Sequence, residues 1–127
     1  MICGKWPALG AALGIALALP AVALGQAQHQ GGWIAVAIND AGNAGLAYGR
    51  PTRELAQDTA LSGCGHRDCR IAVVTQARCV SYVYSTSPLA RGWSYGADAA
   101  AVETAAWRTC RSAAGNACKL YRTLCYP

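Results

Sequence analysis

The chain has 127 residues, 54% of them hydrophobic, with 11 Lys+Arg, 6 Asp+Glu and seven cysteines. Set apart from an apolar leader of 25 residues, the remaining 102 are enough for one small domain and too few for two. The basic residues beyond the leader are nearly all single arginines spread along the chain (Arg50, Arg53, Arg67, Arg70, Arg78, Arg91, Arg108, Arg111, Arg122), a pattern that excludes a basic nucleic-acid-binding arm.

Residues 1–25 read as an export signal. Lys5 supplies the positive start, Ala8 to Leu24 is almost unbroken apolar sequence, and Ala23-Leu24-Gly25 before Gln26 places small residues where a signal peptidase cuts. The run is short for a spanning helix, which takes about 20 apolar residues, and Gly10, Gly14 and Pro20 interrupt it. Cleavage after Gly25 or Ala27 is expected, leaving no stable membrane anchor and a periplasmic or extracellular protein. Cys3 lies too early to be a lipid acceptor. Residues 26–32, rich in Gln and Gly and containing His29, read as a flexible leader.

The domain then spans residues 33–127. Trp33 to Ile38, apolar and β-branched, fits a strand buried on both faces; Asn39-Asp40-Ala41-Gly42-Asn43 is a turn cluster, and Ala44 to Gly49 returns as the second strand of a hairpin. Pro51 ends that strand. Thr52 caps a helix over Arg53 to Gly63, with Leu55, Ala56, Thr59 and Ala60 on the buried face. Alanines on that face imply close approach of helix to sheet. Cys64 to Cys69 is a tight loop, and Arg70 to Thr75 is the next strand.

The pattern then recurs. Gly45-Leu46-Ala47-Tyr48-Gly49 returns as Gly92-Trp93-Ser94-Tyr95-Gly96, and Trp33–Gly49 aligns on Val80–Gly96 without a gap. Val80 to Ser85, a turn at Thr86-Ser87-Pro88, a strand over Arg91 to Gly96, an Asp98-capped helix over Ala99 to Arg111, a loop over Ser112 to Ala117 and a strand over Lys119 to Leu124 complete the second copy. The expected fold is therefore α+β: two ββαβ repeats, 33–79 and 80–127, mostly antiparallel sheet with two helices, packed about a pseudo-twofold axis around one shared core.

Without Cys3, six cysteines remain, an even count that in a small exported chain implies a disulfide framework; six allow fifteen pairings. The repeat selects one. Cys64–Cys69 and Cys110–Cys118 hold the same place, clipping each helix end to the next strand. Cys79 and Cys125 both follow that strand and are expected to pair across the pseudo-axis.

Trp-x-Ala-x-Ala near the start of the domain, Tyr-Gly before a capped Ala-rich helix, Cys-Gly-x-x-Asp-Cys-Arg-x-x-Val, and the second copy Gly-Trp-x-Tyr-Gly resemble the small exported bacterial proteins grouped as domain of unknown function 4189. The resemblance covers Gly32 to Cys125. It implies export and a compact disulfide-bearing domain, and it carries over no catalytic residue.

The residues offer little for catalysis. His66 sits between Cys64 and Cys69 with Asp68 nearby, the atoms of a thiol enzyme, yet a disulfide there removes the nucleophile. Cys64-x4-Cys69 matches one half of a zinc site and Cys110-x7-Cys118 does not match the other. The six acids (Asp40, Glu54, Asp58, Asp68, Asp98, Glu103) fall in turns, caps and exposed helix faces rather than as a pair aimed at one cleft. No catalytic residue, metal or cofactor is expected. Aromatics carry more: Tyr82, Tyr84 and Trp93 with Arg91 and Arg108 are the expected binding surface, while Tyr48 and Tyr95 read as packing residues. The functional expectation is an exported, non-enzymatic binding module for another protein, of the inhibitor or immunity type or a secreted interaction factor. The alternatives are an envelope-glycan-binding protein and a small hydrolase or thiol enzyme at His66.

Overall fold

A computed structural model describes residues 32–127, so the expected signal segment and all but the last residue of the leader lie outside the described residues. The elements run β1 (Trp33–Ile38), β2 (Ala44–Arg50), α1 (Arg53–Cys64), β3 (Arg70–Gln76), β4 (Cys79–Thr86), β5 (Leu89–Gly96), α2 (Ala99–Ala114), a 3-10 turn (Gly115–Ala117) and β6 (Lys119–Cys125). The order is ββαβ twice, as the sequence implies. Two antiparallel three-stranded sheets result, β2-β1-β3 and β5-β4-β6, with the first strand of each half in the middle. The second helix runs to Ala114, past its expected end at Arg111, taking in residues expected to form a loop.

Side-chain size along the central strands decides how the layers stack. In β1 the small residues Ala35 and Ala37 face α1, packing with Ala47, Ala56, Ala60 and Cys64, while Ile34, Val36 and Ile38 point the other way and meet Val80 and Tyr82 of the second sheet. In the second half Val83 and Ala90 pack under α2 against Ala106, Cys110 and Cys118. The layers are therefore helix, sheet, sheet, helix. The core shared by the two halves is the cluster between the sheets, and a further cluster lies beneath each helix, because a central strand is apolar on both faces and each face needs its own cover.

Each helix approaches its sheet through one glycine. A Cβ on Gly45 would stand 1.9 Å from the Ala60 carbonyl oxygen and 2.4 Å from the Cys64 nitrogen; one on Gly92 would stand 2.1 Å from the Ala106 oxygen. Helix backbone thus rests on strand backbone, with Ala56, Ala60 and Cys64 in α1 and Val102, Ala106 and Cys110 in α2 spaced four apart along the contact stripe. Leu55, expected on that stripe, is 44% exposed. Thr52 caps α1 by accepting from the Leu55 N–H at 3.1 Å, and Asp98 caps α2 by accepting from the Ala100 N–H at 3.3 Å.

The repeat is structural to the level of a β-bulge. The β1–β3 register slips between Val36 and Ala37, and the β4–β6 register slips between Tyr82 and Val83, the same place in each half. Equivalence through β1 and the helices is an offset of 46 residues; from Gly45 and Gly92 to Tyr48 and Tyr95 it is 47, since Ala37 pairs with Gly45 but Val83 pairs with Gly92, and it returns to 46 at Arg50 and Gly96, because a bulge opposite Ile34 in the first hairpin has no counterpart in the second. The gapless alignment is corrected accordingly: the second hairpin carries one extra residue at its turn, the first carries one at its bulge, and each strand keeps its own inward face.

All six cysteines of the domain are paired as 64–69, 110–118 and 79–125. The third bond does not cross between the two halves. Cys79 opens β4 and Cys125 closes β6, and they are register partners on adjacent strands of the second sheet, so the bond ties the last strand to the first strand of its own half.

Candidate functional site

Register brings four of the five expected surface residues together: Tyr82 opposes Trp93 and Tyr84 opposes Arg91 on one face of β4 and β5. That face turns inward. Tyr82 is 2% exposed and belongs to the inter-sheet cluster, with Tyr84 and Trp93 packed against it, so an exposed row of these aromatics is not what the fold presents. The reason is that the alternating residues of β4 which face away from α2 are those that meet the first sheet. The Tyr82 hydroxyl and Arg91 Nη1 are both buried and unpaired within the protein. Burial pushes the Tyr82 phenol above its ordinary pKa, and the Arg91 charge partly opposes this. Tyr121, the extra residue of the bulge, sets its ring edge-on to Tyr82 and Tyr84 at 6.1 and 6.4 Å. With Gly42, Asn43 and Ala44 these rings line a cavity of about 220 Å3 at the mouth of the inter-sheet layer.

Arg108 stands apart, on the outer face of α2. It shares a surface cleft with Thr104, Trp107 and Arg111, and the Arg111 guanidinium lies 4.6 Å over the centre of the Trp107 ring. The positions one turn apart on the helix align these four side chains on a single outer stripe. At the equivalent places of the first half stand Asp58, Leu61 and Ser62 on α1, and Gly65, the left-handed residue that ends it.

The tyrosines taken as packing residues are the open ones: Tyr48 is 41% and Tyr95 48% exposed. Each occupies the edge strand of its sheet, on the face that the opposite sheet only partly covers. Tyr48 shares a cleft of about 460 Å3 with Gly49, Arg50, Thr59 and Tyr126. Nothing in the repeat pointed to Tyr126, whose place is set by tertiary contacts at the chain end. The available signal was the left-handed Gly49 (φ +61°), where a Cβ would strike the Tyr126 ring at 2.4 Å.

His66 lies in an exposed loop where its backbone oxygen accepts from the Cys69 N–H at 3.2 Å. Asp68 accepts from Asn39 Nδ2 at 3.1 Å, and both neighbouring sulfurs are in the Cys64–Cys69 bond; no thiol stands beside the imidazole. A chain of side chains links Ser81, Thr123 and Glu103 through contacts of 2.9 Å each. Ser81 is fully buried, so this chain joins α2 to the sheet. Among the described residues no three His, Cys, Asp or Glu side chains are grouped to hold a metal, and no helix is long and apolar enough to cross a membrane. Three formed disulfides fit an oxidising compartment.

Compared with known proteins, residues 33–125 match a family model described as a domain of unknown function (DUF4189). No curated protein and no solved structure matches the chain.

Proposed function

We propose that this chain, which belongs to the domain of unknown function 4189 family, is an exported, non-enzymatic binding module of the inhibitor or immunity type, whose partner is a protein with an acidic face. The observation that carries this reading is the outer stripe of α2. Trp107 and Arg108 there replace Leu61 and Ser62 of the equivalent helix, and Arg111 lies where that helix has already ended at Gly65. The two halves share one scaffold, so the scaffold does not require a Trp–Arg–Arg stripe. Tryptophan and arginine are the side chains that most often dominate protein interfaces, since each combines a large contact area with directed polar or charged contacts. Arg111 held over the Trp107 ring presents its charge at low ordering cost. The helix is backed by its own core and by the 110–118 bond, so the stripe is fixed before any partner arrives. Export is supported by residues 1–25 and by the six paired cysteines.

The test is a photo-crosslinking amino acid placed at Arg108 and, separately, at Ser62, in the living source cell. A discrete adduct from position 108, absent at 62 and lost in an Arg111→Glu background whose thermal midpoint is unchanged, is the expected result. No adduct at 108, or equal adducts at both positions, refutes the reading.

A further inference from the structure

The internal repeat also works as a control for the Tyr48 cleft. The backbone bond from the Tyr126 N–H to Arg78 O, 2.8 Å, has its counterpart in the bond from the Ala77 N–H to Gly32 O, 3.1 Å. Tyr126 and Ala77 are thus equivalent positions, each following the last strand of its half. Trp33 and Cys79 are equivalent and pair with Arg50 and Gly96, so Arg50 corresponds to Gly96; Ala60 and Ala106 are equivalent, so Thr59 corresponds to Ala105. Around Tyr48 stand Arg50, Thr59 and Tyr126. At the corresponding places of the other half the sequence has Gly96, Ala105 and Ala77. The two frames differ here only by a bulge opposite Ile34 in the first hairpin, and neither the strand pairing nor the helix packing requires the three polar and aromatic side chains.

From this asymmetry we infer that the Tyr48–Tyr126 cleft is a binding site for a saccharide bearing a carboxylate. Tyr126 is 40% exposed, yet its placement is fixed. Its ring lies against Gly49, its backbone N–H and carbonyl are both held by Arg78, the latter through Arg78 Nε at 3.0 Å, and its neighbour Cys125 is disulfide-bonded. A fixed aromatic face is what the C–H face of a pyranose stacks on at small ordering cost. Arg50 is oriented as well: Nε and Nη2 both donate to Thr59 Oγ1, at 2.9 and 2.7 Å, and both residues line the cleft. The guanidinium edge left over supplies the charge that selects an acidic sugar. A cleft of about 460 Å3 lies within the range of small-ligand sites. This site is on a different face from the α2 stripe and stands or falls independently of it.

The test uses two sugars that differ only by a lactyl carboxylate, N-acetylmuramic acid and N-acetylglucosamine, titrated into isotope-labelled protein made in an oxidising compartment and followed by amide NMR shifts. Saturable shifts centred on Tyr48, Gly49, Arg50 and Tyr126, with at least tenfold tighter binding of the acidic sugar, are expected. Arg50→Gln removes the tenfold preference. The triple variant Arg50→Gly/Thr59→Ala/Tyr126→Ala, which places the opposite half's residues at these positions, keeps the fold and loses both sugars. Absence of saturable shifts in the native protein overturns the proposal, as do equal affinities for the two sugars, retained binding in the triple variant, or failure of that variant to fold.

Discussion

Adding one methyl group at Gly45 tests the packing principle on which each half rests. An ideal Cβ there is 1.9 Å from the Ala60 oxygen, against about 3.4 Å for ordinary contact, so α1 has to retreat by about 1.5 Å. Neither partner is a flexible side chain that can turn aside; both are backbone. The helix is tethered at its end by the 64–69 bond and covers a cluster made of Ala35, Ala37, Ala47, Ala56 and Ala60, side chains too short to follow a receding helix. Overpacking of a filled core costs about 1–3 kcal/mol, and a gap opened along the rest of the stripe adds to it. Gly45→Ala is expected at or above the top of that range, about 3 kcal/mol. For a domain of this size that corresponds to a fall of roughly 12–24 °C in thermal midpoint. Gly92→Ala, at 2.1 Å from the Ala106 oxygen, should cost a similar amount, and Ser62→Ala, at an exposed helix position, within about 0.5 kcal/mol of nothing. Urea unfolding followed by tryptophan fluorescence measures all three. A loss below about 1 kcal/mol at both glycines refutes the claim that backbone contact sets the helix–sheet spacing.

Two further outcomes follow from the geometry. The 79–125 bond closes a separation of 46 residues, against 5 and 8 for the other two; the chain-entropy relation then gives about 4 kcal/mol for the long bond and about 2–2.6 for the short ones. Paired Cys→Ala variants compared by urea unfolding should keep that order, and a larger loss from removing 64–69 than from removing 79–125 contradicts it. Tyr82→Phe removes a buried hydroxyl that has no protein partner, a group whose desolvation costs about 1–3 kcal/mol, so the variant should match or exceed the native stability near pH 7. Because the folded phenol has a raised pKa, the unfolded chain loses this proton first as pH climbs; the native protein therefore loses stability above about pH 10. The Phe variant should lose less over that window in pH-dependent unfolding, and parallel curves for the two proteins argue against the assignment.

The ββαβ repeat, both helix caps and the two short-range disulfides were legible in the sequence because each depends on local chemistry, whereas the 79–125 pair, 46 residues apart, was reached through the repeat and only the strand register placed it within one sheet. A Thr or Asp side chain caps from its own position, an apolar run sets a strand, and a repeated cysteine spacing pairs neighbours that are close along the chain. The alanines of α1 likewise marked a close approach, whereas the part played by Gly45 and Gly92, on which helix backbone rests at Ala60 and Ala106, came from the structure. The exposure of the candidate surface residues was not legible in the same way. Alternation assigns Tyr82, Tyr84 and Trp93 to one face of their strands but does not say whether that face meets water or a second sheet, and only the stacking of the two halves put Tyr82 inside and left Tyr48 and Tyr95 at the rim. The Tyr126 cleft is further from the sequence still, since it joins β2 to the far end of the chain through Gly49 and the Arg78 contacts. Which face of a strand is apolar is a property of consecutive residues; which faces find each other is settled by the burial of both sheets at once.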